Sequence, residues 1–188
     1  AALCVQIGGE TVVDLWAGVA DKDGEQAWHS DTILNLFSCT KPFAAVAALQ
    51  LVGEGKLDLD APVAQYWPEF AAAGKQDIKV KTLLQHRAGL SAPRRDITRA
   101  ELLDGHSVAE ALASQAPLWE PDSNYGYHAL TFGSLLQELA IRVSGKTLGQ
   151  LLQSEIAIPL GVDAYIGVPA ELQPSVAQLA AKDKYQAA

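Results

Sequence analysis

The stretch Phe37-Ser38-Cys39-Thr40-Lys41-Pro42 precedes the most apolar segment of the chain, which runs from Phe43 to Val52. Proline is tolerated in a helix only in the first turn, where its missing N–H breaks no hydrogen bond, so Pro42 predicts a helix that begins close to Ser38. Because residues three apart on a helix are neighbours, the Lys41 amine would lie within reach of the Ser38 hydroxyl. A helix N-terminus favours an oxyanion and a neutral amine, and a neutral lysine can serve as base to a serine nucleophile.

The same residues also have a purely structural explanation. Ser38 can cap the helix while Lys41 extends its amine into solvent. With ten Ser and nine Lys among 188 residues, about half an S-x-x-K match is expected by chance, so the motif alone is only a hypothesis. On these residues the two interpretations are equally good.

A second candidate feature is the aromatic, turn-rich segment Trp119–Ala129, which runs into a predicted helix over Leu130–Val143. A tyrosine at a helix entry is placed to share a proton with a neighbouring serine or lysine. An isolated tyrosine more often anchors a loop and keeps its hydroxyl in water. Together with the S-x-x-K pair, this segment favours a nucleophilic site over a simple helix cap.

Two other motifs are better explained by helix ends. Ser107 lies in Gly105-His106-Ser107-Val108-Ala109, close to the G-x-S-x-G nucleophile elbow, but a charged, helix-like segment precedes it where the elbow needs a buried strand. Ser107 and Glu110 instead predict a capping box. Gly145-Lys146-Thr147 resembles the end of a phosphate-binding loop, yet a helix precedes it, so we predict a helix C-cap followed by the N-cap Thr147.

The composition limits the class of protein. With 49% hydrophobic and 19% charged residues the chain is globular, and its net charge of −8 disfavours nucleic acid or an anionic membrane as a partner. No apolar run reaches the roughly 18 residues of a membrane span. The four histidines lack metal-ligand spacing, so no metal or other cofactor is expected. Cys4 and Cys39 lack the spacing of a zinc or redox site and are expected to be buried free thiols.

The order of elements predicts an α+β protein. Alternating residues on either side of Gly8-Gly9 predict a β-hairpin, and Phe43–Val52 predicts a helix buried on all sides. The later predicted helices are Val80–His86, Val108–Ala116, one with a buried stripe from Phe132 to Val143, and Leu148–Ile156. A two-stranded hairpin is marginal alone, so partner strands are expected beyond Ala188. Because the chain starts at Ala1 and contains no Met, we also expect the natural N-terminus, with any targeting signal, to be missing.

Taken together, these segments resemble the serine β-lactamase-like superfamily, which groups class C β-lactamases, DD-peptidases and family VIII carboxylesterases. Four segments match in order. The first, Val13–Gly18, looks like the esterase branch, and the second, Phe37–Pro42, looks like the nucleophile motif. The third, Leu83–Leu90, looks like the segment written LLxHxSGL, and the fourth is the loop around Pro121. In that loop Asp122 replaces the glycine of a family Pro-Gly pair, and the alignment places the family's catalytic tyrosine on Tyr127, with Tyr125 as the alternative.

The resemblance implies a mechanism and a substrate class. Ser38 would attack an acyl carbonyl, Lys41 would take part in deprotonating it, and Tyr127 would relay the proton to the leaving group before water releases the acyl-enzyme. Either Lys41 or Tyr127 could be the base. The lactamases have Asn two residues after the tyrosine, where this chain has Ala129, and this departure favours a carboxylesterase on short-chain esters with weak β-lactam hydrolysis. The alternatives are a β-lactamase or D-amino-acid peptidase, and a penicillin-binding protein without turnover.

The family fold is an antiparallel sheet flanked by helices beside a mainly helical region. By resemblance, residues 1–188 would be the N-terminal part of one such catalytic domain, with the first strands and the nucleophile helix in 1–60 and the helical region in 61–188. The family's third motif, a K-T-G or H-x-G strand that supplies the second oxyanion N–H, is not in the sequence, and losing one such donor typically costs ~10²–10³ in rate. The remainder of the same protein is therefore expected to complete the site around a small-molecule ester or β-lactam.

Overall fold

The computed structural model of the protein describes residues 1–179, which form two compact units. The first unit contains Ala1–Phe37 and the segment that begins at Gly167, and the second contains Ser38–Ile166. An antiparallel hairpin in the first unit and a helical second unit confirm the predicted α+β class. That the chain is the N-terminal part of one catalytic domain stays a prediction, and residues 180–188 of its predicted helical region lie outside the described residues.

The first unit is built on the predicted β-hairpin. Strand β1 (Ala2–Ile7) pairs antiparallel with strand β2 (Glu10–Trp16), and a β-bulge interrupts the pairing between Val5 and Gln6. The turn is Gly8-Gly9, where φ values of 61° and 87° require the conformational freedom of glycine. Within residues 1–179 these two strands are the whole sheet.

The second unit is mainly helical. Its α-helices are α1 (Thr40–Gly53), α2 (Val80–Leu84), α3 (Arg99–Leu103), α4 (Ser107–Ser114), α5 (Thr131–Ser144), α6 (Leu148–Leu152) and α7 (Ile158–Leu160). Helix α6 continues through the π-helical turn Gln153–Ala157 into α7. Short 3₁₀ segments lie at Phe37–Cys39, Val63–Gln65, Pro68–Gly74 and, in the first unit, Ala170–Ser175.

The predicted boundary between α5 and α6 is confirmed. Gly145 ends α5 with a φ of 71°, a left-handed conformation that glycine adopts without strain. Thr147 then caps α6, since its hydroxyl accepts the backbone N–H of Gln150 while the Gln150 side chain accepts the N–H of Thr147. Gly145-Lys146-Thr147 thus forms the predicted helix C-cap followed by an N-cap.

Helix α1 is central to the core, but not in the way the sequence suggests. It packs against α5 and α6, and it buries Ala44, Ala47 and Leu51. On its other side Val46 is 47% exposed and Leu49 is 44% exposed. The prediction of a helix buried on all sides is therefore wrong within residues 1–179, where only one face of α1 is covered.

Two further predictions are corrected by the structure. Ser107 does not form a capping box with Glu110, because the carboxylate of Asp104 accepts the backbone N–H groups of His106 and Ser107, both at 2.8 Å, and also the Ser107 hydroxyl. An aspartate three residues upstream thus supplies the acceptor for this helix start. Cys4 and Cys39 are free, as expected, but both are exposed rather than buried.

Candidate active site

Ser38 and Lys41 meet at the start of α1. Ser38 lies in the 3₁₀ turn Phe37–Cys39 that leads into the helix, and Lys41 is the second residue of the helix itself. Lys41 Nζ lies 3.1 Å from Ser38 Oγ, within hydrogen-bond distance. Pro42 falls in the first turn, where the helix requires no N–H from it. The three-residue spacing therefore produces the contact that the sequence predicts.

A second contact of Lys41 comes from the loop before α5. The Lys41 amine donates a hydrogen bond to the backbone carbonyl oxygen of Ala129 at 2.7 Å. The sequence gives no signal for this contact, since every residue carries a carbonyl group. It nonetheless has a chemical consequence, because Ala129 supplies an acceptor to Lys41 although its side chain has none.

Tyr127 completes a three-residue cluster. The pKa of the Tyr127 hydroxyl is lowered, mainly by hydrogen bonding with Lys41 and to a smaller extent with Ser38. Lys41 Nζ also lies 4.7 Å from the centroid of the Tyr127 ring, close enough for a cation–π interaction. Tyr127 is 46% exposed, so a substrate can approach it.

Of the two tyrosines that the sequence leaves open, the structure brings Tyr127 to the Ser38–Lys41 pair. Tyr125 lies two residues earlier and is 64% exposed. Its ring contacts the edge of His86, with the ring centroids 6.0 Å apart. Tyr127 is therefore the better candidate for a group that exchanges a proton with Ser38.

The loop that carries Tyr127 packs closely on its neighbours. Gly126 lies against the indole ring of Trp119, and a Cβ atom added at Gly126 would overlap that ring. Gly89, in the segment after α2, has a φ of 72°, and a Cβ there would lie 2.5 Å from the carbonyl oxygen of Trp119. Both positions need glycine, because the indole ring of Trp119 leaves no room for a side chain at Gly126 and its backbone leaves none at Gly89.

Asp122 ties the same loop to α2. It has a φ of 63°, in the left-handed region that aspartate tolerates better than most residues. Its carboxylate accepts the Thr82 hydroxyl at 3.0 Å and lies 3.4 Å from Arg87 Nε. The Arg87 guanidinium also donates to the Asp122 carbonyl oxygen. The loop thus accommodates aspartate in place of the family's glycine.

Two histidines hold the backbone on either side of Tyr127. The N–H of Gly126 donates to the carbonyl oxygen of His86, and the N–H of His128 donates to His86 Nδ1, both at 3.1 Å. The buried His128 ring donates from Nδ1 to the Gly126 carbonyl at 2.6 Å and accepts the Leu90 N–H at Nε2. His86 belongs to the Leu83–Leu90 motif, so the sequence carried a signal for it, but its contact with Tyr127 was not foreseen.

The remaining candidates lie outside this cluster. Ser107 is engaged by Asp104 at the start of α4. Within residues 1–179, no group of three or more His, Cys, Asp or Glu side chains could hold a metal ion. In the same range, no helix is both long and apolar enough to cross a membrane. The cluster at the start of α1 brings together a hydroxyl, an amine and a phenol.

The chain is similar to known proteins in sequence and in structure. The beta-lactamase family model matches residues 1–187. The chain is 40% identical over 180 residues to the esterase/beta-lactamase LipL of Mycobacterium tuberculosis. Among solved structures it is similar to a family VIII carboxylesterase, with 45% identity and a TM-score of 0.88, and to a penicillin-binding protein homolog from Caulobacter crescentus, with 41% identity and a TM-score of 0.90.

These matches cover nearly all of the chain but only part of each relative. The match with LipL covers 95% of this chain and 42% of LipL. The carboxylesterase match covers 95% of this chain and 50% of that structure, and the match with the penicillin-binding protein homolog covers 97% and 49%. The chain thus spans half or less of the length of these relatives.

Proposed function

Because this chain belongs to the beta-lactamase family, we propose that it carries the nucleophile of a serine hydrolase and that Ser38 forms the acyl-enzyme. The observation that carries the proposal is the contact between Ser38 Oγ and Lys41 Nζ at 3.1 Å, with the ring of Tyr127 4.7 Å from the same Nζ atom. A serine hydroxyl is a weak nucleophile until a neighbouring base removes its proton. Lys41 and Tyr127 are the two groups that can do so.

In the acylation step, Ser38 Oγ attacks the carbonyl carbon of the substrate, and its proton passes to the Lys41–Tyr127 pair. The C–O bond to the leaving group then breaks, and Tyr127 returns that proton to the leaving oxygen. The lowered pKa of Tyr127 suits this exchange, because proton transfer is efficient when the pKa of the acid lies closer to the working pH. Water finally attacks the acyl group, which regenerates Ser38 and releases the acid.

Two contacts would stabilise Lys41 during this cycle. The Ala129 carbonyl oxygen, at 2.7 Å, fixes the direction of one N–H bond of the lysine, and the Tyr127 ring lies 4.7 Å from Nζ. Both interactions strengthen when the lysine takes up a proton, since a carbonyl dipole and an aromatic face attract a cation. They therefore help to hold Lys41 Nζ beside Ser38 Oγ.

As substrates we propose short-chain carboxylic esters, with weak hydrolysis of β-lactams. Ala129 supports this choice, because a methyl group stands where the related lactamases have an amide side chain. The names of the relatives agree with it, since LipL is called an esterase/beta-lactamase and one similar structure a family VIII carboxylesterase. Both names describe those proteins, and for this chain the substrate is a proposal.

A second candidate is a penicillin-binding protein whose acyl-enzyme does not turn over. It is favoured by the similarity to the penicillin-binding protein homolog from Caulobacter crescentus, at 41% identity. Pre-steady-state kinetics with a nitrophenyl ester separate the two candidates. Steady release of nitrophenol after the first turnover supports the esterase, and a single burst without further turnover supports the binding protein.

The test of the nucleophile is Ser38→Ala in the native full-length protein. Turnover of a nitrophenyl ester should fall by about 10³-fold or more, because the variant lacks the oxygen atom proposed to form the acyl ester. The fluorophosphonate adduct should map to Ser38 in the wild type and disappear in the variant. Both measurements depend on the same oxygen atom.

Ser107→Ala is the matched control, because Ser107 is a serine at a helix start that the structure assigns to local capping. Its ester turnover should stay within about twofold of the wild type, as expected for a surface substitution remote from the chemistry. Loss of turnover in Ser107→Ala, with activity unchanged in Ser38→Ala, would show that the assignment of the nucleophile is wrong.

A further inference from the structure

The position of Tyr127 depends on the peptide groups on either side of it. Tyr127 lies in the loop before α5, and its side chain is 46% exposed, so packing of the side chain alone does not fix its hydroxyl. The peptide N–H groups of the preceding and following residues, Gly126 and His128, each donate a hydrogen bond at 3.1 Å. Both bonds end on one residue, His86.

His86 accepts these two bonds with different atoms. Its carbonyl oxygen accepts from Gly126, and its ring atom Nδ1 accepts from His128. The ring also stacks on Phe132 of α5, with centroids 4.9 Å apart, and lies 5.1 Å from the Tyr127 ring. His86 adopts a φ of 59°, an uncommon left-handed conformation in which histidine is enriched. The residue that accepts both hydrogen bonds therefore also has an uncommon backbone conformation.

The contact at Nδ1 requires an unprotonated nitrogen. A neutral imidazole that accepts at Nδ1 carries its proton on Nε2, whereas a protonated ring has donors at both nitrogens. Protonation would therefore place an N–H group of the ring against the N–H group of His128. The contact exists only while the His86 ring is neutral.

The surroundings of His86 keep the ring neutral. Burial is the main reason that its pKa lies below the ordinary value for histidine, and the charges of His128 and Lys41 lower it further. The titratable groups that face the ring are Lys41 from α1 and three residues of the loop: Tyr125, Tyr127 and His128. Burial also lowers the pKa of His128, whose own hydrogen bonds use the neutral ring.

We propose that His86 is a positioning residue for Tyr127, which it holds by accepting the flanking N–H groups at its carbonyl oxygen and at its neutral Nδ1. This inference rests on the proposed function, because the position of Tyr127 affects turnover only if Tyr127 exchanges a proton with Ser38. His86 itself does not touch the reacting atoms. Its effect is expected in kcat, since a displacement of about 1 Å in a catalytic group can cost 10²-fold.

The test compares His86→Asn with His86→Leu in the native full-length protein. The two side chains have nearly the same size and shape, but only asparagine has an acceptor oxygen at the δ position, and asparagine also tolerates a positive φ. We expect His86→Leu to lower kcat for a nitrophenyl ester by about 10- to 100-fold with KM within about threefold. We expect His86→Asn to retain kcat within about threefold, because its oxygen replaces Nδ1.

The pH profile gives a readout that a merely structural role would not change. As pH falls through the pKa of His86, the wild type should lose kcat in addition to the loss that other groups cause in both proteins. The amide of His86→Asn does not titrate, so this additional loss should be absent in that variant. Equal acid limbs in wild type and His86→Asn, or equal values of kcat in the two variants, would overturn the proposal.

Spectroscopy separates this proposal from the proposed function. Nitrogen NMR of the resting protein should show a neutral His86 ring protonated at Nε2, and His86→Leu should shift the Tyr127 ring signals. A ring protonated at Nδ1 would overturn the proposal whatever the activity. If Ser38→Ala keeps full turnover while the NMR results are as expected, the proposed function fails and the positioning of Tyr127 stands. Should His86→Leu fail to fold, the NMR result and the pH profile of His86→Asn decide the matter.

Discussion

Lys75 is a buried cation that the proposed chemistry does not use. Its side chain has no exposed surface, and its ammonium donates to the carbonyl oxygens of Ala72, at 2.6 Å, and Gln115. Gln115 is the C-cap of α4, where the helix dipole favours a positive charge. Nζ also lies 5.6 Å from the centroid of the Phe70 ring. Burial lowers the pKa of Lys75 from 10.5 to about 8.

The lowered pKa of Lys75 predicts a stability that increases with pH. Between about 8, where the folded state loses the proton, and 10.5, where the unfolded chain loses it, the unfolded state binds more protons. The free energy of unfolding should therefore rise over this range, by roughly 1–3 kcal/mol, and Lys75→Met should lack this rise. Urea unfolding of both proteins from pH 7 to pH 10 measures the difference. A difference between wild type and variant that does not change with pH would contradict the prediction.

At the scale of elements, two glycines in helices have opposite surroundings. Gly149, in α6, lies so close to the backbone of Ile166 that an added Cβ would overlap its carbonyl oxygen. Gly133, in α5, has no atom within 4 Å of the place where its Cβ would be. Helix propensity favours alanine over glycine equally at both positions, so any difference between them comes from packing.

We therefore expect the same substitution to have opposite effects at these two positions. Gly133→Ala should stabilise the protein by up to about 1 kcal/mol, the ordinary difference between alanine and glycine in a helix. Gly149→Ala should destabilise it by about 1–3 kcal/mol, because α6 must move away from Ile166. Thermal or urea unfolding of the two variants measures both values. Stabilisation by Gly149→Ala would mean that α6 and Ile166 are not in close contact.

Local sequence patterns predicted a helix boundary correctly where only one side chain was available to accept the free backbone N–H groups. Thr147 and Gln150 form the expected capping box, and Gly145 ends α5. At α4 the same kind of pattern failed, because the Asp104 carboxylate accepts the N–H groups of His106 and Ser107 and also the Ser107 hydroxyl. A sequence pattern indicates which side chains could accept these N–H groups, but only the folded structure shows which of them does.

The contacts of the candidate site also differ in whether the sequence predicts them. The contact of Ser38 with Lys41 follows from helical spacing and was predictable. The contacts of Lys41 with the Ala129 carbonyl and of His86 with the peptides around Tyr127 join residues 88 and 42 positions apart. The periodicity of the sequence does not predict contacts between residues so far apart. The exposure of Cys39 was missed for a related reason, since its place at a helix start depends on the turn before α1.

At the scale of the whole molecule, the site belongs to the larger unit, Ser38–Ile166. That unit brings together the start of α1, the segment after α2 and the loop before α5, and the hydrophobic core lies under all three. The acidic net charge of −8 disfavours anionic partners. The family and the fold class could be read from ordered motifs, whereas the substrate requires measurement.

The pairing of Asp122 with Arg87 has an evolutionary consequence. Aspartate at a positive φ is less favourable than glycine, so its presence depends on the partners that it finds in Arg87 and Thr82. If a lineage regains glycine at position 122, selection no longer maintains arginine at position 87. Among descendants of a common ancestor, these two positions should therefore covary. Ancestral reconstruction would show the two changes occurring on the same or adjacent branches of the tree.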